Sequence, residues 1–180
     1  MKKYIALLRG INVSGQKKIK MTELKSLFDK LDFQNVETYI QSGNIIFSSK
    51  ENSVKTLERK ISTGIKNKFG FEVHTFIITS KEIKDVLKNN PFVKMKKNTE
   101  RLYVTFLSEQ PLQEKIQNLN SSDFSPEEYQ IVGNIIYLHL PNGAGRAKLN
   151  NNFFENKLKV IATTRNWKTI KTLSELTDSE

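Results

Sequence analysis

An α+β fold, built from two βαββαβ units with antiparallel sheets and one added C-terminal helix, is what the 180-residue sequence predicts. Three observations carry that prediction. Apolar runs of strand length alternate with stretches of helical period in the order βαββαβ, and the order appears twice. The two central hairpins share letters: Tyr39-Ile-Gln-Ser-Gly-Asn-Ile-Ile-Phe47 and Tyr129-Gln-Ile-Val-Gly-Asn-Ile-Ile-Tyr137 match at Tyr, Gly, Asn, Ile and Ile with a constant offset of 90. Between the halves, Asn89-Asn-Pro91 interrupts the pattern, because proline cannot continue a helix.

The elements follow in order. Tyr4-Ile-Ala-Leu-Leu8 is a strand ended by Arg9-Gly10. Leu24, Leu27, Phe28 and Leu31 fall at helical spacing behind Thr22, a candidate cap. Residues 36–40 and 45–47 read as a hairpin around Gln41-Ser-Gly-Asn44. Ser53 caps a second helix with Val54, Leu57, Ile61, Ile65 and Phe69 on one stripe, and Gly70 ends it before a strand over 71–78. A short helix from Ser80 leads to the second unit. There the strand is 102–107, the helix 111–119 with Leu112, Ile116 and Leu119 inward, and the hairpin 127–140 around Gly133-Asn134. A short strand near 160–163 and a helix from Thr164 to about Leu176 complete it. The division reads as a first unit over 1–79, a connecting helix and linker over 80–98, and a second unit with the C-terminal helix over 99–180.

Composition narrows the class of protein. A hydrophobic share of 37% is that of a globular chain. With no cysteine, disulfide frameworks, Cys-ligated metal sites and thiol nucleophiles are excluded, and the reading leans to a cytoplasmic location. Polar Arg9-Gly10 follows only five apolar positions, and no long apolar run occurs elsewhere, which predicts neither a signal peptide nor a membrane partner. The net charge of +10 is unevenly spread. Residues 1–20 hold six basic residues and no acid, and residues 146–171 hold seven against Glu155 alone. A fold that brings the two stretches together has one positive face.

Right-handed crossovers put the four strands of each unit in the order 4-1-3-2, so the loop after the first strand meets the hairpin tip. That juxtaposes Arg9-Gly-Ile-Asn12 with Gln41-Ser-Gly-Asn44. Arg9 offers a planar fork for phosphate or carboxylate; Asn12, Gln41, Ser42 and Asn44 offer amide and hydroxyl contacts. Turn geometry explains the same Asn and Gly residues equally well. Pro141-Asn-Gly-Ala-Gly-Arg-Ala-Lys-Leu149 reads as a glycine turn entering a helix, with Arg146 and Lys148 near an anion-favouring N-terminus. It lacks the Gly-Lys-Ser/Thr of a P-loop. In Thr163-Thr-Arg-Asn-Trp167, Thr164 is the candidate cap, with Arg165 and Asn166 in the first turn and Trp167 in the core. His74 and His139 each sit in a strand with no i, i+4 partner and no nearby carboxylate pair, which argues against a metal site or a general base; no cofactor is expected.

Leu7-Leu-Arg-Gly-Ile-Asn-Val13, Tyr39-Ile-Gln-Ser-Gly-Asn44, Leu140-Pro-Asn-Gly143 and Ala162-Thr-Thr-Arg-Asn-Trp167 resemble a bacterial family known as domain of unknown function 1697. The resemblance spans nearly the whole chain in order. It implies ferredoxin-like halves and brings no activity or catalytic residue with it. Where the family is similar to Gly-Gly after Asn-Val and to Ser-Lys-Leu, this chain has Ser14-Gly15 and Ala147-Lys148-Leu149, which weakens any role for a hydroxyl at 147.

Three functional readings stand. The first is binding of an anionic, phosphate-bearing small ligand or nucleotide between the units, through Arg9, Arg146 and Arg165. The second is nucleic-acid binding on a βαββαβ sheet, with only Tyr4 and Phe47 offered for stacking. The third is a protein-interaction module. No acidic pair, metal set or triad names a reaction, so enzyme status stays open.

Overall fold

In the computed structural model, which describes residues 1–178, the chain divides into two compact units. One is Met1–Lys84 with the chain from Leu173; the other is Asp85–Thr172.

In the first unit, β1 (Lys2–Leu8), α1 (Met21–Lys30), β2 (Gln34–Tyr39), β3 (Asn44–Ser49), α2 (Val54–Phe69) and β4 (Thr75–Thr79) form an antiparallel sheet in the order β2-β3-β1-β4. This is the predicted order, read from the other edge. Tyr4, Ala6, Leu8, Ile45 and Phe47 join Leu24, Phe28, Leu57, Ile61 and Ile65 in the core under the helices. Phe47 is its aromatic hub, with ring centroids 4.5 Å from Phe33, 5.4 Å from Phe28 and 5.7 Å from Tyr4. Ile5, Leu7, Ile46, Phe76 and Ile78, on the opposite face, are buried too. A strand covered on both faces has no polar alternation, which is why β1 reads as an unbroken apolar run.

The chain continues through α3 (Ser80–Asn89) and the single turn α4 (Pro91–Lys94), which Asn90 caps by accepting from Phe92 N at 2.9 Å. The second unit comprises β5 (Leu102–Leu107), α5 (Gln113–Asn120), β6 (Glu128–Val132), β7 (Ile135–His139), α6 (Asn151–Leu158), β8 (Ala162–Asn166) and α7 (Trp167–Asp178), with sheet order β6-β7-β5-β8. Its core sets Leu107, Ile136, Leu138 and Ala162 against Leu119, Phe154 and Leu158.

Several local expectations are corrected. Thr22 lies inside α1, which starts at Met21 without a side-chain cap. Ile40 leaves the strand with φ +48°, in the turn. β4 begins only at Thr75, whose partner Leu8 is the last residue of β1; beyond it a single bond, Arg9 N to His74 O at 3.0 Å, extends the pairing. Leu112 precedes α5 and is 66% exposed, while Pro111 is buried in its place. Thr164 does not cap α7: β8 pairs with β5 as far as Tyr103↔Asn166, so the chain stays extended to Asn166, whose Oδ1 accepts from Thr169 N at 2.8 Å. Ser53 and Gly70 end α2 as expected, the latter in the left-handed conformation.

Candidate functional site

Two loops converge at one end of the first sheet. Leu8 N donates to Gly43 O at 2.8 Å, continuing the β1–β3 ladder into the hairpin tip. Beyond it, Asn12 binds both loops: its Nδ2 donates to Gln41 O at 2.8 Å and to Ile19 O at 2.9 Å, and its Oδ1 accepts from Ile19 N at 2.8 Å. Gly43 is required twice over. Its φ is +77°, and a Cβ there would lie 2.8 Å from both Leu8 Cβ and Ile11 Cδ1. Asn44 is fully buried, donating from Nδ2 to Tyr39 O at 3.0 Å and to Ser42 Oγ at 2.9 Å. Asn12 and Asn44, offered by the sequence as ligand contacts, therefore spend these bonds on the loops themselves.

The outer surface of the pair is different. Gln41, Lys17, Lys18 and Lys20 are exposed, and Ser42 and Arg9 are half-buried. The backbone is unusual as well: Gly10, Asn12, Ser14, Gly15 and Lys17 all have positive φ, as does Ile40 across the junction. Two amides of this loop bond within it, Asn12 N to Lys17 O at 3.2 Å and Gln16 N to Val13 O at 2.9 Å; left-handed residues interleaved with right-handed ones are the backbone from which anion nests are built. The acid drawn to this end is Glu72. Lys66 sits 2.6 Å from its carboxylate and holds it below the usual range, with Lys17 adding to the effect.

The predicted anion turn of the second unit is arranged otherwise. Residues 144–146 form a short 3-10 turn, and α6 starts only at Asn151, behind Asn150. Arg146 and Lys148 are exposed but do not sit on a helix N-terminus. The amides at this turn nevertheless hold an anion: Glu127 Oε1 accepts from Lys148 N and Oε2 from Leu149 N, each at 2.9 Å.

Arg165 is in β8, not in a helix, and is 8% exposed. Its Nη1 donates to Thr163 Oγ1 and Thr164 O, both at 2.9 Å. Burial brings the guanidinium pKa down to about 10, so it stays charged at neutral pH. Asn166 uses its side chain as the α7 cap. Trp167 is buried with Ile170 and Leu173, as its spacing predicts.

One cluster escaped the sequence reading. Glu128 Oε1 lies 2.7 Å from both Lys97 Nζ and His139 Nδ1. The two-residue turn at Gly133-Asn134 sets Glu128 directly opposite His139, so this pairing was available from hairpin register alone.

Two antiparallel ferredoxin-like units, one carrying a clasped polar loop pair, define the chain as a duplicated α+β protein. It belongs to the family of proteins of unknown function DUF1697, whose family model matches residues 1–137. Its fold is similar to that of the conserved bacterial protein SP0830 from Streptococcus pneumoniae, 24% identical over 99% of each chain with a TM-score of 0.79. No curated protein matches the chain.

Proposed function

We propose that the first unit binds the phosphate group of a small anionic ligand on the loop pair formed by residues 9–20 and the hairpin tip at Gln41 and Ser42. The observation that carries the reading is the Asn12–Gln41 bond, which joins an acid-free basic loop to a polar tip. Arg9 supplies the planar fork, the left-handed loop supplies main-chain N–H groups, and Lys17 and Lys18 supply the surrounding field. Lys17 is partly committed, since its Nζ donates to Glu72 O at 2.7 Å. In the second unit, the exposed Arg146 and Lys148 are the further candidates, while Arg165 and Asn166 hold β8 and the start of α7.

The small-ligand reading is preferred to nucleic acid on physical grounds. Tyr4 and Phe47, the rings that β1 and β3 offer for base stacking, are buried in the helix-covered core. Titration calorimetry with inorganic phosphate and pyrophosphate tests the proposal. Arg9→Ala is expected to weaken binding by about tenfold or more, the loss of a charge-assisted contact. Equal affinity in the variant, or mixed-sequence RNA bound more tightly than either anion with a steep salt dependence, contradicts it.

A further inference from the structure

Each tip of the loop pair carries an exposed aliphatic side chain that the phosphate reading does not use. Val13 is 57% exposed and Ile40 is 50% exposed. They are the immediate neighbours of Asn12 and Gln41, the residues whose bond joins the loops, so both apolar side chains stand at the same junction as the basic and polar groups. Ile40 is the more informative. Its φ is +48°, a conformation that glycine and asparagine adopt readily and a β-branched residue adopts only where its surroundings impose it. The other left-handed positions hold Gly, Asn, Asp, Ser or Lys; among the described residues Ile40 is the β-branched one, and its side chain is in solvent. The backbone gains nothing from that choice, which leaves the apolar surface as what position 40 provides.

Resting on the phosphate-site reading, we infer that the ligand is a phosphate ester with a planar or apolar body, of the nucleoside monophosphate type, and that Ile40 and Val13 contact that body. The loop amides and Arg9 hold the phosphate, while the two aliphatic side chains cover one face of the attached ring. Specificity against simple sugar phosphates then resides at positions 13 and 40. Apolar burial of this size amounts to about a tenfold preference.

The test compares inorganic phosphate, ribose 5-phosphate and adenosine 5′-monophosphate by titration calorimetry on the full chain. The wild type is expected to bind the nucleotide at least about tenfold more tightly than the other two. Ile40→Asn keeps a residue suited to the left-handed backbone and removes the apolar surface, so it should abolish the preference, leave phosphate affinity unchanged and raise the melting temperature. Val13→Ser should reduce the preference without that thermal gain, and it serves where the first variant folds poorly. Binding of all three probes with equal affinity, or a preference retained in both variants, overturns this inference and leaves the phosphate site standing. Binding of none overturns both.

Discussion

The side-chain amide of Asn12 lies 2.8 Å from the carbonyl oxygen of Gln41, joining chain segments 29 residues apart. With the two bonds to Ile19, it makes one half-buried side chain the clasp of the loop pair. Asn12→Ala removes all three bonds and leaves alanine at φ +54°, so it should cost about 2–4 kcal/mol in denaturant unfolding. Asn12→Gly, which restores the backbone freedom alone, should cost less. Equal losses in the two variants would show that strain plays no part.

Gly43 and Gly133 carry the same letter in matching hairpin motifs, and their replacement by alanine should separate them. At Gly43 the new Cβ meets Leu8 and Ile11 at 2.8 Å; at Gly133 nothing lies within 4 Å. Both have positive φ. The expected losses are about 2–4 kcal/mol for Gly43→Ala and about 1–2 kcal/mol for Gly133→Ala. Similar melting temperatures for the two variants would contradict the close approach at residue 43.

That contrast shows what the sequence makes legible and what it hides. The βαββαβ order is readable because apolar runs and helical stripes report burial directly. The matching letters, however, are out of register. The first hairpin closes at Tyr39↔Asn44 over four residues, the second at Val132↔Ile135 over two. Ile45 therefore corresponds in space to Ile136, both in the cores under the helices, at an offset of 91 rather than 90. A slip of one residue exchanges the faces of a strand, and turn length cannot be read from shared letters. The end of β8 was hidden for a related reason: only its pairing with β5 keeps Arg165 extended. The convergence of residues 9–12 with 41–44 followed from topology, whereas the bonds that Asn12 and Asn44 make within the loops depend on side-chain orientation, which no sequence pattern reports.

Glu127 fills the turn that the sequence offered to an external anion. Glu127→Gln loses one of the two main-chain acceptors and the negative charge, and should cost about 1–2 kcal/mol. Hydrogen exchange at the Lys148 and Leu149 amides should accelerate in the variant. Unchanged exchange there would rule out the bidentate contact.

Glu128 gives the pH prediction. Its hydrogen bond to Lys97, reinforced by His139, holds its carboxyl below the ordinary 4.5 against the opposing effect of burial. A lowered folded-state pKa means that the stabilisation is present above the unfolded value and is lost as pH falls through the folded one. With the side chain 42% exposed, solvent screening limits it to about 1 kcal/mol or less. Glu128→Gln should thus lower the melting temperature at about pH 6, with the difference shrinking as the pH falls below the carboxyl's ordinary range. A difference that grows on acidification would carry the wrong sign.

The phosphate site is tested most directly by amide chemical-shift mapping of the full chain during titration with inorganic phosphate. The account predicts saturable shifts concentrated at Gly10, Ile11, Val13, Ser14, Gly15, Gln41 and Ser42, and their loss in Arg9→Ala. Shifts confined to the neighbourhood of Arg146 and Lys148, or none at saturating phosphate, would contradict it.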